Sequence, residues 1–459
     1  MNKREFLAVG GAVPLMLAGC GGSGSGSAPV RLVNASVGYP NLGFMVESTQ
    51  ATTADIAYGS ASVFENVQAG AVGITLTVNN QAATSAQTRT ISKDSRYSLV
   101  AYGYANELKQ VLITESTVTP DSGKANINVL NTSVDIGAVD VYLSTDKAMT
   151  VPTAIALNVG GVQQSAFAPT LAGSYYITVV GANSIASGIS DIRFQTPTAI
   201  TLTALQVLTV ILTPGASGTL ANAILLTQGT AGGATNATQP FYNLTARVRA
   251  VTSIQPASVT GANAALTTPT FPILTTSTTP LSSRYFTVNT GTPPVVMVNG
   301  SPVSVLMDVT NATTGVVTPN QPGVLAAGGD YTLMVYLDHA SGNPTAKLIE
   351  DNNTAPVSSS GVKFRLINLA SDNQSLQLSM TVNSISVASN IPYGTASAYY
   401  EVTGVPQSTA SVVTVSNGGT TIANVTPQVL TVANIFTDIV VSVPSTGNPI
   451  NLFLSSKGA

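Results

Sequence analysis

Charge is what this chain has least of. Asp, Glu, Lys and Arg make up 8% of its 459 residues, about a third of the roughly 25% usual in soluble proteins. The 17 Lys and Arg are scattered over the whole length and the formal net charge is −3. No basic stripe exists that could displace counterions from nucleic acid, so that class of partner is set aside. There is one cysteine, one histidine and no tryptophan. A lone cysteine excludes an intrachain disulfide and a thiolate metal cluster. A lone histidine leaves zinc or iron little but carboxylates to bind, and the missing tryptophan weakens a sugar-stacking surface. Beyond the N-terminal segment no run of eighteen apolar residues occurs, which is too little for a spanning helix. Gly160 to Val162 and Ala327 to Gly329 lack the strand, glycine spacing and helix that a nucleotide needs, and read as turns.

What is present is apolar and uncharged. The apolar fraction is 44%, and Thr and Val, which favour pleated, half-buried surfaces, recur throughout. An all-β protein is expected, and its length calls for several cores.

The N-terminus has a positive start at Lys3 and Arg4, an apolar stretch from Phe6 to Ala18, and then Leu17, Ala18, Gly19 and Cys20. This pattern reads as an export signal cut between Gly19 and Cys20. Gly21 to Ser27 consist of Gly and Ser alone, a flexible tether. The Leu-Ala-Gly-Cys sequence resembles the lipobox of bacterial lipoproteins. The resemblance implies a diacylglycerol on the Cys20 thiol and an acyl chain on its amine. Two or three such chains, at about 0.8 kcal/mol per buried methylene, give effectively permanent membrane attachment. No Asp follows Cys20, which by resemblance to sorting in Gram-negative bacteria implies the outer membrane. Lys3 to Leu7 resembles a twin-arginine export signal with Lys in place of the first Arg.

The rest of the chain repeats. Ile56 to Val67 matches Ile391 to Val402 without a gap, and each is preceded by a similar segment, Val30 to Ser36 and Phe364 to Ala370. Asn126 to Ser133 and Val248 to Ser253 are weaker copies, with Thr252 in place of the Asn. A second landmark, an aliphatic residue followed six positions on by a large apolar residue and Ser or Thr, occurs at Ile91, Leu202, Leu325 and Leu430. An apolar pair then closes each unit: Leu112 with Ile113, Leu225 with Leu226, Leu348 with Ile349, and Leu452 with Phe453. The last two strands of each unit are expected to form a hairpin. Units of roughly 90 to 120 residues suit Ig-like β-sandwiches. The expected order is a signal peptide at 1–19, lipidated Cys20 and tether at 20–29, and sandwiches at 30–118, 124–227, 244–351 and 362–456, with linkers at Thr119 to Gly123, Gln228 to Gln239 and Asn352 to Gly361. The repeats resemble a tandem domain-of-unknown-function family frequent in bacterial envelope lipoproteins, which supports fold and address and brings no activity.

Several polar residues recur or cluster. Arg31, Arg249 and Arg365 sit on the opening strands; a guanidinium can bind carboxylate or phosphate bidentately, but alternation in Val30 to Val33 places the Arg on the solvent face. Asn34, Asn131 and Asn368 end that strand and are expected to bond their own backbone and start a turn. Tyr58-Gly59 and Tyr393-Gly394 read as a turn beside a packed ring. His339 beside Asp338 lacks a nucleophile motif and reads as an exposed loop residue. Asp135, Asp140 and Asp146, and Glu350-Asp351 with Asn352 and Asn353, offer oxygen-rich turns without EF-hand spacing. The expected function is a non-catalytic, membrane-anchored envelope lipoprotein, a spacer, scaffold or recognition module without cofactor or metal, whose partners are the membrane and an envelope protein or surface ligand. A small-ligand or calcium carrier is the alternative, followed by a hydrolase with paired carboxylates.

Overall fold

The computed structural model describes residues 26–459 except 53, 184–190, 230–236, 254–257, 262–270, 275–285, 290–302, 312–314, 359, 371–372, 407–408, 431–433, 443–449 and 456–459. Gly19 and Cys20, and with them the export and lipidation reading, lie outside the described residues. Among the described residues every regular element is a strand, as the abundance of Val and Thr requires.

Four modules follow one another, each built around the same three strands. The opening strands are Ser27–Ala35, Lys124–Asn131, Thr245–Thr252 and Val362–Asn368; the penultimate strands are Tyr97–Tyr102, Val207–Pro214, Asp330–Leu337 and Ile435–Ser442. The closing strands are Lys109–Thr114, Ala221–Thr227, Pro344–Asp351 and Ile450–Ser455. In every module the closing strand pairs antiparallel with the penultimate one, which is the expected hairpin. The opening strand runs parallel to the penultimate strand, and the register is equivalent in all four: Arg31 faces Ser98, Asn128 faces Thr209, Arg249 faces Thr332 and Arg365 faces Thr437. The Ser or Thr of the second sequence landmark is therefore the cross-strand neighbour of the opening-strand Arg in the first, third and fourth modules, and of Asn128 in the second.

In the first, second and fourth modules a second sheet covers one face of this unit, as in a sandwich. Val30, Leu32, Phe44, Ile74 and Leu99 fill the first core; Ile127, Val141, Ile177 and Val210 the second; Phe364, Met380, Val415 and Phe436 the fourth. The Phe364, Phe436 and Phe453 rings stack in sequence at 5.8 and 5.0 Å. In the third module the two sheets are one, because Phe271–Leu274 pairs both with Ser258–Gly261 and with the opening strand, giving an eight-stranded sheet.

The opposite face of the opening sheet is not open to water. Val33, Ala35, Val100 and Ile113 of the first module pack on Leu130, Ile211, Ile224 and Leu226 of the second in a single apolar cluster. Val251 and Met334 of the third module likewise meet Ile367, Leu369, Ile439 and Leu454 of the fourth. The modules thus associate as two pairs, first with second and third with fourth, through their opening sheets. A sheet buried on both faces has no polar side to show, which accounts for runs such as Leu208 to Leu212 and Ala223 to Leu226.

Two expected boundaries move. The opening strand begins at Ser27, which pairs with Gln68, so the last three residues of the expected tether, 27–29, are already part of the sheet. Thr238–Phe241 adds a strand beside Ala221–Thr227, so the second module runs past the expected linker Gln228 to Gln239.

Candidate functional site

The recurring Arg side chains are buried, which overturns the expectation that alternation turns them to solvent. Arg31, Arg249 and Arg365 are 1%, 1% and 3% exposed. Alternation does put Arg31 on the face opposite Val30 and Leu32, but the neighbouring module covers that face. Arg31 Nη2 lies 2.5 Å from Glu115 Oε1 and donates to the Thr227 carbonyl of the second module at 3.0 Å. Its Nε donates to Ser98 Oγ at 2.9 Å, and Ser98 Oγ donates to Glu115 at 2.6 Å. Glu115 Oε2 accepts the Gly229 amide of the second module, and Gln228 reaches back to accept from the Ser116 amide at 2.7 Å. Gln228 also donates to Thr209 Oγ1, so the Ser98–Glu115 arrangement is repeated in uncharged form as Thr209–Gln228. Burial lowers the affinity of the Arg31 guanidinium for its proton and Glu115 pulls it back up.

The second pair repeats the theme with a different charge count. Arg249 Nε donates to Thr332 Oγ1, which donates to Asp351 Oδ2 at 2.6 Å. Asp351 also pairs with Arg365 of the fourth module and lies 3.5 Å from Arg249 Nη2. Arg249 in turn donates to Thr437 across the junction at 3.2 Å. One buried carboxylate therefore serves two guanidinium groups from two modules. Asp351 sits on the closing strand where Glu115 follows it in the first module, nineteen and seventeen residues respectively beyond the cross-strand Thr or Ser.

A third knot joins the pairs. Arg247 holds Asp330 with two 2.7 Å bonds and reaches Asp191 of the second module at 3.4 Å. Arg193 also holds Asp191 and donates to the Ile136 carbonyl. Burial pushes the Asp191 carboxyl up, but Arg193 and Arg247 outweigh it and hold it below the ordinary carboxylate range. Lys363 donates to Asn352 and Thr354 in the linker between the third and fourth modules. Burial pushes its ammonium down to about 8, against the pull of Asp135 and Glu401.

The Asn reading is borne out. The side-chain oxygens of Asn34, Asn131 and Asn368 each accept the amide two residues on, at 3.1, 3.1 and 3.2 Å. Their amide groups donate to carbonyls of the facing sheet or its loops, such as Ile56, Val159 and Ile391, so each Asn also ties its two sheets together. The Tyr-Gly motif is a turn beside a packed ring, as expected, and the ring belongs to the junction. Tyr58 bonds Thr213 of the second module at 2.7 Å, and Tyr393 meets Tyr336 of the third edge-on at 5.5 Å. Gly59 and Gly394 have φ of 78° and 71°, which L side chains rarely adopt.

The remaining candidates scatter. His339 is exposed and bonds Gln374 at 2.8 Å, while Asp338 closes its own loop through Ser341. Asp140 caps the Asn158 and Asn183 amides, and Asp146 caps Thr150. Asp135 accepts from Tyr104 with one oxygen and from the Ala355 amide with the other. These three carboxylates do not converge, and among the described residues no group of three His, Cys, Asp or Glu could hold a metal. A cavity of about 320 Å³ has both Glu107 and Asp135 in its lining, but Asp135 is tied at both oxygens. Gly160 to Val162 and Ala327 to Gly329 are turns, with Val162 and Gly328 at positive φ.

Residues 28–142 match the model of a family described as Domain of unknown function (DUF4397). The match covers about a quarter of the chain, the whole first module and the first strands of the second, and bears out the resemblance to a domain-of-unknown-function family there. No curated protein matches the chain.

Proposed function

We propose that this is a non-catalytic envelope protein, anchored through lipid on Cys20, in which two tightly coupled pairs of β modules act as a spacer or scaffold for an envelope partner. One observation carries the reading: the Arg and Tyr side chains that recur from module to module point into the junctions between modules. Arg31 and Arg365 with their carboxylates, and Tyr58 with Thr213, hold neighbours in register. Removing one member of a buried pair costs about 3–5 kcal/mol, whereas replacing the whole pair by apolar residues is often neutral, so such pairs specify an arrangement more than they strengthen it. Fixed geometry between modules is what a spacer needs. The anchor is tested by Cys20→Ser: the reading expects the variant to leave the membrane pellet, and a variant that sediments like the native chain overturns it. The role is tested by deletion, which should alter envelope integrity or partner pull-down. Protease shaving of intact cells distinguishes the two faces of the outer membrane.

A ligand-binding reading is favoured by one feature, a cleft of about 830 Å³ between the first and second modules.

A further inference from the structure

The cleft between the first two modules is walled by Asp94 to Arg96 and Ser116 to Pro120 on one side and by Thr203 to Val207 and Thr227 to Gly229 on the other. Two guanidinium groups lie over the Phe64 ring, Arg31 at 4.7 Å and Arg96, which lines the cleft, at 5.3 Å. Their situations differ. Arg31 is buried and matched by Glu115. Arg96 is half-buried on the cleft wall, takes part in none of the ion pairs among the described residues, and its guanidinium meets no hydrogen-bond acceptor among them. Asp94 shares the wall without pairing with it. The cleft therefore carries a planar cation over an aromatic ring, without an acceptor among the described residues, in a lining that also contains Ser95, Ser116, Thr117 and Thr227. Such a fork matches phosphate geometry.

The rim is apolar. Val118 and Leu205 are 68% and 53% exposed, on opposite sides of the cleft. Ser27 also lines the cleft and follows Cys20 by seven residues, which extended span at most about 25 Å. If Cys20 is lipidated, as proposed above, the cleft cannot leave the neighbourhood of a bilayer surface.

We propose that this cleft binds the phosphate of a phosphate ester through Arg96, with Val118 and Leu205 against the apolar part of the same molecule. The phosphate has two sources, a phospholipid headgroup or a soluble ester, and the orientation of the rim rests on the anchor reading while the Arg96 site does not.

The test is calorimetric titration of the full chain, held in a maltoside detergent, with glycerol phosphate and with dioctanoyl phosphatidylglycerol. Saturable binding at one site per chain is expected for at least one of them, weakened tenfold or more by Arg96→Ala and less by Arg96→Lys, which keeps the charge but loses the fork. Val118→Asp places a carboxylate on an exposed rim position without touching the core and should weaken binding about threefold or more. Binding of the lipid alone assigns the headgroup as source; equal binding of glycerol phosphate assigns a soluble ester and overturns the apolar contact with Val118 and Leu205. No saturable binding of either probe, or binding by Arg96→Ala as tight as that of the native chain, overturns the proposal; unweakened binding by Val118→Asp overturns its apolar half. The Cys20→Ser sedimentation result bears on the anchor alone, so the two readings fail separately.

Discussion

Glu115 is the residue whose removal best tests the buried junctions. Its two oxygens meet the Arg31 guanidinium, the Ser98 hydroxyl and the Gly229 amide. In Glu115→Ala the Arg31 charge stays buried without a counter-ion and the other two donors lose their acceptor. Removing one partner of a buried pair costs about 3–5 kcal/mol; the lost hydrogen bonds belong to the same network and do not simply add to that figure. The assay is native-state hydrogen exchange of amides in Ser27–Ala35 and Ala221–Thr227, on the two sides of the junction. At about 1.4 kcal/mol per tenfold, exchange there should accelerate by about two to three and a half decades, with a smaller effect in Asn41–Val46 of the outer sheet. Combining Arg31→Met with Glu115→Leu should restore most of the protection. An exposed pair would contribute less than about 1 kcal/mol. An acceleration below tenfold in both strands would therefore refute the assignment of Arg31 and Glu115 to a closed interface.

Three further outcomes follow from the same contacts. Tyr58→Phe removes the bond to Thr213 and should lower stability by about 1 kcal/mol, read as a fall in melting temperature that Tyr400→Phe, at a half-exposed ring, does not reproduce. Asp191 has a folded pKa below its ordinary value, so its contribution is complete above pH of about 4 and is lost as pH falls through the lower folded value; Asp191→Asn should flatten that part of the acid-unfolding profile. Lys363 is depressed to about 8, so the folded chain releases this proton before the unfolded chain does. Stability should rise as pH climbs from about 8 towards the ordinary lysine value, and the rise should vanish in Lys363→Met, measured by urea midpoint against pH.

The all-β class, the four units and the closing hairpins were legible because each rests on local pattern: Thr and Val content, matched segments, and apolar pairs at a fixed offset. The Asn turns were legible for the same reason, since an Asn at a strand end bonds within two residues. The burial of Arg31 was not. Alternation assigns Arg31, Val33 and Ala35 to one face, and nothing in seven residues says what covers that face. A signal was present all the same. Val33 and Ala35 are apolar on the supposed solvent face, and Val100 and Ile211 likewise break the alternation of their strands. Apolar residues on both faces of a strand call for a cover on each side. The carboxylate partners were out of reach for another reason. Glu115 meets Arg31 only because the parallel register sets Ser98 beside Arg31, and that register is a long-range fact. In the third module Phe271–Leu274 merges two sheets, which strand-level pattern cannot distinguish from a sandwich.

The two junctions differ in charge count, and that difference has a measurable consequence. In the first, one guanidinium faces one carboxylate, and the second module supplies Asn128 and Gln228 at the equivalent places. In the second, Arg249 and Arg365 share Asp351. Arg249→Asn makes the second junction resemble the first: Asp351 keeps Arg365, and the count becomes one to one. Asp351→Asn does the reverse and leaves two buried guanidinium groups without it. If charge balance governs the fit of module on module, the Asp351 variant should lose about 3–5 kcal/mol and the Arg249 variant clearly less, although both remove one charge from the same cluster. Hydrogen exchange in Val362–Asn368 compares them directly. Equal acceleration in the two variants would mean that shape alone sets this junction. A larger loss for Asp351→Asn would mean that pairing is selective, because a wrong neighbour would bury a guanidinium with no carboxylate to meet it.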